Sequence, residues 1–179
     1  MKDYMKILLF LCWIFPLVGF AQKIVVKKSA VTFFSHAAIE DITATTTKSS
    51  GIIDLSEKKF AFSIPISEFE FEKSLMKEHF NEKYMETEKF PKATFSGTID
   101  SFDNDAAEQQ VKASGKLTIH GVTRDVEIPA SIKKDGATKR VNAKFVVRLE
   151  DYGIQIPQLL FQNIAESVEV TVDFSFGPK

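Results

Sequence analysis

From residue 24 to residue 176 apolar side chains recur mainly at every second position. Val168, Val170, Val172, Phe174 and Phe176 alternate with Glu169, Thr171, Asp173 and Ser175. Val141, Ala143, Phe145, Val147 and Leu149 alternate with Asn142, Lys144, Val146 and Arg148. Phe60, Phe62, Ile64 and Ile66 form a third row, and Glu68, Glu70 and Glu72 alternate with Phe69 and Phe71 as a strand with a solvated acidic face. Period-two alternation predicts half-buried antiparallel strands. Further strands are expected at Ile24–Lys28 with Val31–His36, and at Ile42–Leu55, Ala93–Phe102, Gln110–Ile119 and Val126–Ile132.

Matching apolar faces sets expected hairpin registers, because a one-residue slip would turn every side chain to the other face. Ile53 is matched with Phe62 and Leu55 with Phe60, across Ser56-Glu57-Lys58-Lys59. Ile119 is matched with Val126 and Leu117 with Ile128, leaving a connection around Gly121-Val122-Thr123-Arg124. Ala130 is matched with Ala143 and Ile128 with Phe145, with a turn near Asp135-Gly136. The result is a meander. Phe102 falls out of phase with Phe95 and Ile99, so a bulge is expected before the Asp103–Gln109 connection. One segment breaks the alternation. Leu75, Met76, His79, Phe80 and Tyr84 recur at helical spacing, predicting an amphipathic helix of about three turns, stopped by Phe90-Pro91.

About eight antiparallel strands with one apolar face make an all-β domain, either a closed barrel or a sandwich. A barrel of that size either fills with side chains or holds one small ligand, and the single helix would lie across it as a lid or plug. The alternate strand positions carry Glu, Asp, Lys and Arg, which would each cost about 2–4 kcal/mol at bilayer depth. The apolar rows therefore face inward, away from any membrane.

The N-terminus changes the picture. Lys2 and Lys6 precede an apolar run from Ile7 to Val18, followed by Gly19-Phe20-Ala21. A charged start, an apolar stretch and small residues before a cut describe a secretory signal peptide, and the run is shorter than a membrane span. Residues 1–21 are read as the signal and 22–179 as one exported domain without a transmembrane segment. Cys12, the single cysteine, lies inside the apolar run and not at a lipoprotein cleavage position, so the mature chain has no disulfide and is held by packing alone. The full chain carries 23 basic and 24 acidic residues, and without Lys2, Asp3 and Lys6 the balance stays near neutral. No basic stripe appears, which argues against nucleic acid as a partner. Of seventeen Phe, only Phe10, Phe15 and Phe20 leave with the signal, whereas the one Trp is lost. An interior built on Phe has no polar handle to satisfy, which suits a dry core and a dry cavity equally.

Catalytic chemistry has little to stand on. His36, His79 and His120 fall in three different elements, with none of the spacing of a helical metal site, and Glu78-His79 diverge by about 100° on a helix. No nucleophile elbow, phosphate loop or calcium loop is present; Gly115-Lys116 lacks the preceding glycine. No catalytic residue, metal site or required cofactor is assigned. The charged stretch Lys73–Lys89 could dock a partner, but it reads first as a solvated outer face. A homodimer is left open, with nothing in the pattern to argue for one.

Four short segments carry a resemblance. Glu88-Lys89-Phe90-Pro91-Lys92-Ala93-Thr94-Phe95 resembles the EKFPxxTF signature of the YceI-like family. Gly115-Lys116-Leu117-Thr118-Ile119-His120-Gly121-Val122-Thr123 resembles its G-x-L-T-I-x-G-V-T hairpin. Arg148 with Asp151-Tyr152-Gly153-Ile154 resembles its R-x-D-[FY]-G-I element with one extra residue, and Val31-Thr32-Phe33 with His36 its opening strand. The segments follow the family's order over nearly the whole mature chain. The lid differs: where members commonly carry Arg-Asp and then His-Leu, this chain has Phe71-Glu72-Lys73-Ser74-Leu75-Met76-Lys77-Glu78-His79-Phe80.

The resemblance implies a periplasmic or secreted lipocalin-like barrel whose apolar tube holds an isoprenoid-type lipid, a polyprenyl lipid or isoprenoid quinone, in a carrier or storage role. On that reading the lining comprises Phe33, Phe62, Ile64, Phe69, Phe71, Leu75, Phe80, Phe95, Leu117, Ile119, Phe145, Val147 and Phe161. His79, Tyr84, Arg124, Arg148 and Tyr152 are the candidates for meeting a polar head group, and the apolar run Gln155–Phe161 would close the entrance. The rival reading is a structural or stress-related interaction domain whose barrel is simply filled, with an enzyme third.

Overall fold

The computed structural model describes residues 23–36, 41–155 and 165–179. Ten strands and one short helix follow one another as β1 (Lys23–Ser35), β2 (Ile42–Thr46), β3 (Ser50–Asp54), β4 (Lys59–Pro65), β5 (Glu70–Phe71), α1 (Ser74–His79), β6 (Lys92–Asp100), β7 (Glu108–Ile119), β8 (Val122–Asp135), β9 (Thr138–Arg148) and β10 (Ser167–Pro178). β10 pairs with β1 as well as with β9, so the antiparallel sheet closes. The ring consists of eight strands, β1, β3, β4 and β6 to β10, with β2 and β5 as additions. Closure removes the exposed edges that an open sheet of this length would present.

β1 is one strand because a bulge between Val26 and Lys28 corrects its phase against β10. Before the bulge the even residues Ile24 and Val26 face inward; after it, Val31 and the other odd residues do. The two segments expected from the sequence are therefore halves of one element, joined where an extra residue is absorbed. The segment Ile42–Leu55, expected as one strand, is instead two. The Thr46 hydroxyl accepts the Lys48 N–H at 3.2 Å and turns the chain. β2 then pairs with the second half of β1 and β3 with its first residues.

Turn chemistry corrects two expected registers. Ile53 pairs with Phe60, and Phe62 lies opposite Gly51. The Asp54 carboxylate accepts the N–H groups of Ser56 and Glu57 at 3.1 and 3.0 Å and the Ser56 hydroxyl at 2.6 Å. That turn, with Lys58 in the left-handed region at φ 56°, moves the loop one residue earlier and so shifts the pairing by two. Ile119 pairs with Val122, not Val126, across a two-residue turn of His120 and Gly121 at φ 50° and 75°, the geometry that matches strand twist. Both shifts are even, so every side chain keeps its face. Ala130 pairs with Ala143 as face matching requires, and the turn falls at Gly136-Ala137. The β8–β9 ladder stops at that pair, so Ile128 and Phe145 are not partners. The β6–β7 ladder runs unbroken to Asp100↔Lys112. Phe102 reaches the core not through a bulge but because Ser101, at φ 56°, redirects the chain after the strand ends.

One corner is built by missing side chains. Gly97 and Gly115 lie opposite each other, and a Cβ on Gly97 would stand 2.0 Å from the Ser114 carbonyl oxygen. With no side chain between them, the β6 and β7 backbones approach closely there. One end of the barrel is packed solid by Ile53, Phe60, Ile99, Phe102, Val111, Ile132 and Phe176. The other end holds the cavity.

Candidate functional site

An apolar cavity of about 510 Å³ occupies the barrel between two groups of phenylalanine rings. Its floor is formed by Phe62, Phe95 and Phe174, backed by Phe60 and Phe176. Phe62 stacks on Phe60 at 5.2 Å and meets Phe174 at 5.4 Å, while Phe60 touches Phe95 at 4.7 Å. The second group lies at the mouth, where Phe80 stacks on Phe33 at 5.4 Å and packs on Phe71 and Phe69 at 5.0 and 5.9 Å. Between these groups, alternate residues of β7 to β10 form the wall.

The lid follows from its sequence. α1 winds for six residues and passes into a wider π turn, Phe80–Tyr84, closed by the Met85 N–H donating to the Phe80 carbonyl at 2.8 Å. That wider turn puts Phe80 and Met85 on the barrel side. Leu75 borders the cavity yet is 59% exposed, as a side chain at an opening would be. The helical run ends before the expected Phe90-Pro91 stop: Glu86 takes φ 42° and breaks it. Phe90 instead packs edge-on against His120 at 4.6 Å and over Gly121, where a Cβ would stand 2.5 Å from the ring.

His120 fastens this lid to the rim. Its Nε2 is 3.2 Å from Glu86 Oε2, and its Nδ1 is 3.3 Å from the Tyr152 carbonyl oxygen. One ring thus touches the lid's end, the β7–β8 turn and the Glu150–Tyr152 turn. The Lys89 ammonium, and secondarily His120, holds the Glu86 carboxyl below the usual carboxylate range. Replacing His120 with Ala is expected to cost about 1–2 kcal/mol and to raise hydrogen exchange selectively over residues 74–90; uniform exchange would contradict a lid-specific fastening.

The sequence-derived lining set divides cleanly. Phe33, Phe62, Ile64, Phe69, Phe71, Leu75, Phe80, Phe95, Leu117, Ile119, Phe145 and Val147 all border the cavity; Phe161 lies outside the described residues, as does all of the Gln155–Phe161 run beyond Gln155. Of the head-group candidates, His79 and Tyr84 border it, and burial pushes the Tyr84 phenol above its ordinary value. Arg124, Arg148 and Tyr152 do not. Arg124 Nε donates to the Asp151 carbonyl at 2.9 Å, tying β8 to the neighbouring turn beyond the end of the β8–β9 ladder. Arg148 pairs with Glu150 outside the barrel. Tyr152 is 4% exposed and packs in the core.

Sequence reasoning missed Met85 and Ile154, which belong to turns without any alternation, and Lys73 and Ser35, which border the mouth; Ile66 stood in an inward row but was not placed in the lining. Val168, Val170 and Val172 also line the cavity. Their alternation was visible, but it could not separate lining from core. The polar side chains bordering the cavity are Ser35, Lys73, His79 and Tyr84, with no carboxylate among them. Among the described residues no three His, Cys, Asp or Glu gather as a metal site, and no helix is long and apolar enough to cross a membrane.

The YceI-like domain profile matches residues 23–176. A polyisoprenoid-binding domain from Saccharophagus degradans, implicated in plant cell wall breakdown, has a similar structure, with a TM-score of 0.77 at 16% identity over 87% of this chain and 98% of that one. BcnA of Burkholderia cenocepacia gives 0.70 at 17% identity over 82% and 95%. The YceI protein of Campylobacter jejuni gives 0.66 at 18% over 80% and 89%. At such identities the likeness establishes the fold. No curated protein matches the sequence.

Proposed function

The chain belongs to the YceI-like family, whose domain spans residues 23–176, and from that premise we propose that it is an exported carrier or store for an isoprenoid-type lipid. The observation that carries this reading is the 510 Å³ void between the two phenylalanine groups. A barrel filled for purely structural ends would leave no space of this size, since protein interiors pack to crystal density with few voids larger than a water. The void is lined by Phe, Ile, Leu and Val with a few polar groups at one end, which is how small-ligand sites are usually built.

Affinity needs no catalytic group. Each buried methylene contributes about 0.8 kcal/mol, so ten contribute about 8 kcal/mol, against association costs of at least roughly 4 kcal/mol. Hydroxyl, lysine, histidine and phenol groups at the mouth can all donate hydrogen bonds, and they suit a head group with acceptor oxygens, as in a quinone or a prenyl phosphate. Export rests on the signal-peptide pattern of residues 1–21, which lie outside the described residues. Delipidated protein incubated with tritiated farnesol and passed through a desalting column should retain one equivalent, displaceable by an unlabelled isoprenoid quinone. Absence of saturable retention with either ligand would contradict the proposal.

A further inference from the structure

We propose that the phenylalanine plug beneath the cavity sets a length limit, so that this protein encloses only a short isoprenoid chain, of about three to four units, and leaves the remainder of a longer one outside. The inference rests on the carrier reading above and adds a ligand size to it.

The plug is one connected body. Phe62 touches Phe60, Phe174 and Phe176 at 5.2, 5.4 and 6.0 Å, and Phe60 passes the contact on to Phe95 at 4.7 Å. One glycine makes room for it: Phe62 lies opposite Gly51, where a Cβ would come within 2.2 Å of the ring. The Phe62 ring therefore lies against the β3 backbone, and Phe60, stacked on it at 5.2 Å, fills the bore beside it. Below them Phe176 is 1% exposed and Ile53 2% exposed, with no part in the cavity lining. The tube thus stops at Phe62.

The space above sets the ligand size. Along β10 the lining runs from Val168 to the plug at Phe174, about 20 Å of strand and about 15 Å of barrel axis at the usual tilt, which accommodates about three to four extended five-carbon units of roughly 4–5 Å each. Any further unit stays near the half-exposed Leu75 and the polar mouth, where it gains little burial.

The test is competition against tritiated farnesol by geraniol, geranylgeraniol and the nine-unit prenol solanesol, on the exported protein and on Phe62→Ala, with Phe80→Ala as a mouth control. Each buried methylene is worth several-fold in affinity. Farnesol should therefore bind at least tenfold tighter than geraniol, and solanesol within threefold of geranylgeraniol. Phe62→Ala should raise the geranylgeraniol-to-farnesol affinity ratio about tenfold, and Phe80→Ala, which opens the mouth and not the floor, should weaken both prenols without raising that ratio. If Phe62→Ala does not fold, Phe62→Leu should move the ratio in the same direction by a smaller factor. Affinity that keeps climbing tenfold or more from geranylgeraniol to solanesol, or a ratio unmoved in the folded Phe62 variant, overturns the length limit while leaving the carrier reading intact. Failure of every prenol to bind overturns both.

Discussion

Phe145→Glu is expected to weaken lipid retention at least a hundredfold while the barrel still folds. Phe145 is on β9, paired with Val170 of β10, and its half-buried side chain borders the cavity. Phe145 sits in the wall of the void, half-buried and apart from the residues that pack the solid end, so a carboxylate there can reach the water of the empty cavity. In the empty protein a carboxylate there keeps water. With an apolar chain in the tube, that water must leave. Stripping a charge without a partner costs several kcal/mol, and among the described residues Lys73 is the only Lys or Arg that borders the cavity. A penalty of about 3 kcal/mol corresponds to roughly a hundredfold in affinity. Retention of tritiated farnesol by the folded variant measures it. Retention equal to that of the unmodified protein would show that no ligand chain passes Phe145.

Gly97→Ala should have the largest effect on stability, and it reverses the usual sign. In an ordinary strand Ala is favoured over Gly by about 0.5–1 kcal/mol. Here the added methyl would stand 2.0 Å from the Ser114 carbonyl oxygen and 2.6 Å from the Gly115 Cα. Neither is a side-chain tip that can swing aside. Relief requires β6 and β7 to part, at the expense of ladder hydrogen bonds worth about 1 kcal/mol each. A loss of roughly 3 kcal/mol or more is expected, beyond the usual range of overpacking, and large against a typical total of about 5–15 kcal/mol. Urea denaturation reads it directly. A midpoint equal to or above that of the unmodified protein would mean that the corner does not depend on the absence of a side chain.

How much of this was legible beforehand depends on the kind of signal. Strand positions and inward faces followed from alternation, because burial of one face imposes a period of two whatever the partner strand does. The rows Val168–Phe176 and Phe60–Ile66 read directly. Registers were less legible. The four-residue shift at Ile119↔Val122 keeps the apolar faces together as well as the expected register does, and only the left-handed turn at His120 and Gly121 decides between them. The same holds for Phe102, whose burial depends on one positive φ at Ser101. At the site, aromatic residues on strands could be placed around a tube, since facing inward was enough. The void itself could not be read, because a lining and a filled core share one pattern. Whether space remains depends on how Phe62 lies over Gly51 and how Phe60 and Phe174 pack against it. The rim arginines were misplaced for a related reason: Arg124 and Arg148 stand near the mouth in sequence, but their heads are taken up by the Asp151 carbonyl and by Glu150.

The most direct measurement is native mass spectrometry of the protein exported from cells, followed by organic extraction and identification of whatever is released. The account predicts a one-to-one adduct, lost on denaturation and identified as an isoprenoid lipid or quinone. An empty protein that also takes up neither added farnesol nor an added isoprenoid quinone would contradict it.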